Sequence, residues 1–286
     1  MSINIISKDR YFSGTQYIVK HRSDAIGLEM RFGIYIPDSA GMNRTPAIMY
    51  LSGFTGNHKT FIQMGVAQLA ASKNSIVLIS PDTSPRKSGQ YEITEKYHIG
   101  ASASFYVNAT QEPWRKHWQM ETYISQELPE IISKEFSIDT SRLGITGHCM
   151  GGLGALLLGL KYPEKFISVS AFSPICSPAN SPWGREAYSE YFGDNPATWE
   201  YHDPLELITK NRYAKKILIE IGEEDEYLCD QLLVDEFVDK CVALNQDVIF
   251  RLHAGHNHSL HFVQTFVEDH ILFHLENTKQ ERKGIG

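Results

Sequence analysis

The sequence predicts an α/β fold with a mostly parallel central sheet and helices on both faces. Three observations carry that expectation. Short continuous apolar runs, such as residues 47–51 and 75–80, have the composition of strands buried on both faces. Segments with helical apolar spacing alternate with them, as crossover connections between parallel strands require. Third, the run Arg142-Leu143-Gly144-Ile145-Thr146 leads into Gly147-His148-Cys149-Met150-Gly151 and then into a small-residue stretch, 152–160. That is a strand, a Gly-flanked turn and a helix.

Taken in order, residues 28–37 alternate and read as a strand, and 38–46, with Gly41, Asn43 and Pro46, as a turn. Strand 47–51 ends in the loop Ser52-Gly53-Phe54-Thr55-Gly56. Phe61, Met64, Val66, Leu69 and Ala70 give 60–72 a helical period. Strand 75–80 leads to Pro81-Asp82-Thr83-Ser84-Pro85-Arg86. Residues 86–117 are long and irregular, a length associated with function in a compact domain. A helix is expected over 118–136, interrupted at Pro129. After the small-residue helix 152–160 comes a strand at 166–172. Residues 173–204 hold five prolines and aromatics around Trp183, Tyr191 and Trp199. They read as a cap or pocket wall within a single domain spanning 1–286. Strand 216–221 ends in Gly222-Glu223-Glu224-Asp225. An amphipathic helix follows at 231–244, a last strand at 247–252, and the loop His253-Ala254-Gly255-His256-Asn257-His258. A helix over 259–275 closes the fold, and the polar tail 277–286 is expected to fray.

The chain has 286 residues, 42% hydrophobic, with a net charge of −7, enough for a sizeable core and without the basic footprint of a nucleic-acid binder. Cys149, Cys176, Cys229 and Cys241 show neither metal spacing nor a dense disulfide framework, which favours a reducing compartment. The N-terminus lacks a basic segment followed by an apolar core, and no apolar run reaches about 18 residues. The expected address is the cytoplasm, with no membrane or nucleic-acid partner.

The turn at 147–151 has the context of the G-x-S-x-G nucleophile elbow of the α/β-hydrolase fold, with Cys149 at the serine position. Glycines flank it because a Cβ would clash in so tight a turn. The helix start aims N–H groups and its positive dipole end at the nucleophile. The alternative is a buried structural Cys in a Gly-rich turn. The loop 52–56 stands where that fold completes an oxyanion hole, or is an ordinary strand-to-helix turn. The partners follow in the order nucleophile, acid, histidine. Glu223, Glu224, Asp225 and Glu226 compete for the acid; His253, His256 and His258 compete for the base, with His261 already on the helix. No Cys or carboxylate set completes a three-ligand zinc site beside those histidines, so no metal is expected.

Several unusual strings carry a resemblance: Leu51-Ser52-Gly53-Phe54-Thr55, Pro81 to Arg86, Phe105-Tyr106-Val107-Asn108-Ala109-Thr110-Gln111, the elbow, Ser168 to Cys176, Ser181-Pro182-Trp183-Gly184 and His258-Ser259. From about residue 17 to 274 the chain resembles the S-formylglutathione hydrolases, the esterase D family. The resemblance implies hydrolysis of S-formylglutathione to glutathione and formate, a step of formaldehyde detoxification, with no cofactor beyond the glutathione of the substrate. It puts the triad acid on Asp225, the histidine on His258 and the oxyanion donors on the N–H groups of Phe54 and Met150. It also suggests a homodimer. Three departures stand out. The family nucleophile is Ser, here Cys149. Gly56 stands where many members carry a modifiable Cys, so thiol inhibition through that loop is not expected. His256 stands where an aromatic residue is common.

A thiol ionises more readily than a serine hydroxyl and is intrinsically nucleophilic, but sulfur is larger and sits differently in an oxyanion hole built for oxygen. Trp183, Phe105 and His148 are the expected wall of a tight acyl pocket, against a reading of the aromatics as plain core. Arg86, Lys87 and Arg185 could steer an anionic substrate or simply be solvated surface. The partner is a small glutathione thioester or a short-chain ester. The alternatives are a general carboxylesterase, a Cys-dependent lactone hydrolase resembling dienelactone hydrolase, an acyltransferase, a catalytically impaired Ser-to-Cys variant, and a binding protein without turnover.

Overall fold

A computed structural model describes residues 3–40, 45–86, 96–136, 138–210 and 213–280, without the side chains of 279 and 280. The strands are β1 (Ile3–Arg10), β2 (Gly14–Arg22), β3 (Glu29–Pro37), β4 (Ala47–Leu51), β5 (Val77–Pro81), β6 (Leu143–Gly147), β7 (Phe166–Phe172), β8 (Ile217–Gly222) and β9 (Val248–His253). They form one sheet in the order β1-β2-β3-β5-β4-β6-β7-β8-β9. The pairs from β5 through β9 are parallel; β1, β2 and β3 join as antiparallel strands. The hairpin of β1 and β2 lies ahead of the first strand expected from sequence. On β1 only Ile3 and Ser7 are partly buried, so no alternating pattern marks it.

The helices are α1 (Val66–Asn74), α2 (Met120–Thr122), α3 (Leu128–Phe136), α4 (Met150–Lys161), α5 (Pro182–Phe192), α6 (Pro204–Lys210), α7 (Val234–Ala243) and α8 (Leu260–Gln280). Side-chain alternation sorts them onto two faces, because successive strand residues point to opposite sides. Ala47, Met49 and Leu51 join the core shared with α3, α4 and α7, whereas Ile48 and Tyr50 join the core under α1 and α8. Both faces of β4 are therefore buried, as its continuous apolar run requires.

Some boundaries differ from expectation for identifiable reasons. Residues 60–65 form turns, and α1 begins only at Val66. Pro129 does not interrupt its helix: α2 passes through a π turn (Tyr123–Glu127) directly into α3. The carbonyl Pro129 cannot serve, that of Ser125, accepts from Lys165 Nζ at 3.0 Å. The closing helix runs to Gln280, past the expected fraying point, with the Asn277 amide donating to the Phe273 carbonyl; residues 281–286 lie outside the described set.

The elbow depends on one backbone contact. A Cβ on Gly151 would lie 1.9 Å from the carbonyl oxygen of Leu51, and one on Gly147 would lie 2.3 Å from the carbonyl of Gly151. Backbone cannot yield as a flexible side chain can. Gly255 is the contrasting case: its φ of +75° favours glycine, but open space surrounds its Cβ position. Gly151→Ala is therefore expected to destabilise the fold by about 3 kcal/mol or more, at the upper end of overpacking costs. Gly255→Ala should lose only about 1 kcal/mol, the cost of a left-handed residue. Urea denaturation of both variants checks the order; equal losses would refute the backbone contact as the tighter constraint.

Candidate active site

Cys149 sits between β6 and α4 with φ 58° and ψ −120°, a conformation that non-glycine residues rarely adopt and that concentrates at functional sites. Its N–H donates to the Phe172 carbonyl at 3.1 Å, and that of His148 to the Leu51 carbonyl at 3.2 Å. The side chain is buried, and it forms part of the wall of a cavity of about 700 Å³.

Of the four acids and three histidines at the strand ends, the structure brings together one of each. His258 Nδ1 donates to Asp225 Oδ2 at 2.7 Å, and Asp225 Oδ1 accepts from the Tyr227 N–H at 3.0 Å. The Asp225 side chain is fully buried. His258 Nε2 is buried, has no hydrogen-bond partner, and belongs to the ring that lines the cavity with Cys149. Burial of the ring opposes its charge. The Cys149 sulfur and the bond to Asp225 outweigh that and push the His258 pKa up to about 10. His148 behaves oppositely. Its ring lies 4.5 Å from that of His258, and burial together with that neighbour's charge holds its pKa well below the ordinary value. His253 bonds to Glu220 instead, and His256 packs against Phe262 and Phe266, filling the aromatic role its position suggests.

The loop after β4 is pressed against the elbow. A Cβ on Gly53 would lie 3.0 Å from that of Cys149. Tyr106 Oη donates to the Ser52 carbonyl at 2.8 Å, and Arg86 Nη2 and Thr83 Oγ1 donate to the Gly56 carbonyl at 2.6 and 2.7 Å. Met150 is the first residue of α4, so its N–H has no intrahelical acceptor. Neither that group nor the Phe54 N–H enters a turn or loop bond among the described residues.

The cavity wall corrects part of the expectation. Trp183 and His148 line it; Phe105 does not. Phe105 is fully buried one layer back, its ring 5.5 Å from Phe54, 5.7 Å from Tyr188 and 6.4 Å from Tyr191. Phe54 stands in front, edge-on to Trp183 at 5.4 Å. Tyr97 and Tyr227 complete the aromatic wall, each within 5.8 Å of Trp183. Sequence reasoning missed both. Tyr227 carried a usable signal, being two residues beyond the acid; Tyr97 lay unmarked in the long loop. The steering residues also move. Arg86 is committed to Asp82, Ser102 and the Gly56 carbonyl, so it pins the loop. Arg185 lines a separate depression of about 470 Å³, and Lys87 lies outside the described residues. Among the described residues, no Asp, Glu, Lys or Arg lines the Cys149 cavity, and no group of three His, Cys, Asp or Glu is spaced to hold a metal. None of their helices is long and apolar enough to cross a membrane.

Comparison with known proteins agrees with this geometry at the level of family. The Esterase family model matches residues 23–273. An S-formylglutathione hydrolase of Arabidopsis thaliana is 43% identical over 274 residues, covering 95% of this chain and 96% of that protein. One of Mus musculus is 41% identical over 278 residues, covering 96% and 99%. A solved S-formylglutathione hydrolase of Agrobacterium tumefaciens superposes with a TM-score of 0.93 at 36% identity, over 96% of this chain and 99% of its own. The matched span takes in the elbow, the acid loop and the histidine loop, so the chain is an enzyme of the esterase family that holds the S-formylglutathione hydrolases.

Proposed function

We propose that this enzyme hydrolyses S-formylglutathione to glutathione and formate, within formaldehyde detoxification, through a covalent formyl-Cys149 intermediate. The observation that supports this most is the Asp225–His258 pair opening onto Cys149 in one cavity, in a chain 41–43% identical end to end to hydrolases of that name. The Cys149 thiolate attacks the formyl carbonyl, and the oxyanion forms against the Phe54 and Met150 N–H groups. The bond to the glutathione sulfur breaks, and the imidazolium of His258 returns a proton to that leaving sulfur. Water then attacks the formyl-Cys149 thioester and His258 Nε2 takes its proton. The bond to Cys149 breaks, formate leaves, and the thiolate–imidazolium pair is restored. Asp225 fixes the tautomer throughout. No cofactor enters the scheme.

Among the described residues, no Lys or Arg lines the cavity to meet the carboxylates that glutathione brings, which favours a second substrate class, short neutral esters. Comparison of kcat/KM for S-formylglutathione and a short aryl ester separates the two: the thioester should lead, and a lead for the ester makes general carboxylesterase the better reading.

Two further outcomes are expected. Cys149→Ser should still hydrolyse S-formylglutathione, faster by on the order of tenfold, because the hole then holds an oxygen ester rather than a larger thioester. His258→Ala should lose about 10³-fold or more in kcat/KM. Undiminished hydrolysis by His258→Ala would sink the triad assignment. The NMR titration midpoint of His258, expected near 10 in the native chain, should fall in the Ser form, where Asp225 remains but the contribution of the Cys149 sulfur is lost. The second outcome concerns reversal. Acylation here exchanges one thioester for another, so free glutathione regenerates substrate readily. With serine it would have to attack a more stable oxygen ester. Added glutathione should therefore slow formate release by the native chain several-fold more than by Cys149→Ser; equal sensitivity would argue against a formyl-Cys149 intermediate.

A further inference from the structure

A second carboxylate–histidine pair lies behind the first, and the proposed reaction does not use it. Glu220 stands five residues before Asp225 on β8, and His253 five before His258 on β9. The Glu220 side chain is fully buried. Its Oε1 accepts from Arg251 Nη1 at 2.7 Å, and its Oε2 lies 3.1 Å from His253 Nε2. The same oxygen is 4.0 Å from Nε2 of His270 on α8, a buried nitrogen without a hydrogen-bond partner. From His270 the contacts continue across the sheet. Its Nδ1 meets Ser170 Oγ of β7 at 2.8 Å, and that hydroxyl donates to Thr146 Oγ1 of β6 at 2.9 Å. His274 joins through Ser170 at 2.9 Å and Ser168 at 2.6 Å. The His270 ring also stacks at 3.5 Å on Phe172, whose carbonyl accepts the Cys149 N–H.

One polar cluster under α8 thus touches β6, β8 and β9, the three strands whose ends carry Cys149, Asp225 and His258. Buried polar groups tolerate few arrangements, because each broken bond leaves an unsatisfied group in a low dielectric. The two loops meet immediately beyond the cluster. The Glu223 N–H donates to the His253 carbonyl at 2.9 Å, and that of Glu224 to the His256 carbonyl at 2.8 Å. A Cβ on Gly222 would lie 2.2 Å from the latter oxygen, so the loops have no slack.

We propose that Glu220 is a positioning residue: its bonds to Arg251 and His253 hold the end of β9 on β8, so that Asp225 and His258 meet in register beside Cys149. The ionisable groups facing it are Arg251 and His253 from β9 and His270, His274 and Asp269 from α8; β7 presents only hydroxyls and Phe172. Burial pushes the Glu220 carboxyl up to about 7 against the pull of Arg251, while burial lowers both His253 and His270. Those rings stay neutral and serve as hydrogen-bond partners rather than as charges.

The inference rests on the catalytic reading of Asp225 and His258, and its test separates the two. Glu220→Gln keeps the shape and removes the charge. It should lower kcat for S-formylglutathione about 10- to 100-fold with KM nearly unchanged, as misplaced catalytic groups do. It should also lower the His258 NMR midpoint, since a longer bond to Asp225 holds the proton less. A merely structural role would lower the melting temperature and leave kcat and that midpoint at native values; this result overturns the proposal. Should Glu220→Gln fail to fold, His253→Asn, at a partly exposed site, breaks the same contact and is judged by the same two readouts. Full hydrolysis by His258→Ala would instead overturn the catalytic reading, and the midpoint shift in Glu220→Gln would still report on the positioning.

Discussion

The structure turns on the close approach of the Leu51 carbonyl to the elbow. Two glycines, Gly147 and Gly151, are needed because backbone from β4 occupies the space their Cβ atoms would take. That contact fixes how near the loop after β4 comes to Cys149. The proposed oxyanion donors lie on either side of it, the Phe54 amide on that loop and the Met150 amide at the start of α4. Gly53 extends the constraint, and Arg86 with Thr83 closes the far end of the loop on the Gly56 carbonyl. The loop is thus held at several points along its length, the kind of fixed geometry that electrostatic preorganisation requires.

Stacked on that frame is an electrostatic asymmetry between two adjacent imidazoles. His148 and His258 are 4.5 Å apart and both are buried, yet they shift in opposite directions. Burial lowers both. Only His258 has the Cys149 sulfur and the Asp225 carboxylate to raise it. The charged state of His258 in turn disfavours charge on His148, so a single proton is held at one defined ring. With serine at the elbow the sulfur contribution would vanish, and the base would rest closer to neutrality between turnovers.

How much of this was legible in the sequence depended on how strictly chemistry dictates residue type. The elbow was legible because Gly147, Cys149 and Gly151 obey a rule of backbone sterics. The strand ends pointed to the acid and histidine loops, but spacing left Glu223, Glu224, Asp225 and Glu226 equivalent, since only side-chain direction separates them. The cavity wall was scarcely legible. Phe54, Tyr97, Trp183 and Tyr227 come from four separate segments, and whether a ring faces the cavity or the layer behind it, as Phe105 does, is decided by packing. Pro129 misled because its cost falls on one carbonyl, and a lysine forty residues away in sequence relieves it. The hairpin of β1 and β2 gave no alternating signal because β1 is an edge strand with Ile5 and Ile6 turned to solvent.

The two carboxylate–histidine pairs at the ends of β8 and β9 make the same point about charge that the imidazoles do. Asp225–His258 and Glu220–His253 have similar contact distances, 2.7 and 3.1 Å, and both carboxylates are fully buried. In the first pair the ring takes the proton; in the second the ring is lowered and the carboxyl is raised to about 7. Burial acts in the same sense on both, so it does not distinguish them. The neighbouring groups do. The Cys149 sulfur favours imidazolium at His258, whereas His256 and, after it, Arg251 disfavour it at His253. The first pair is the one we propose to move protons at the cavity and the second the one we propose to hold two strands together; they bond through Nδ1 of His258 and Nε2 of His253 respectively.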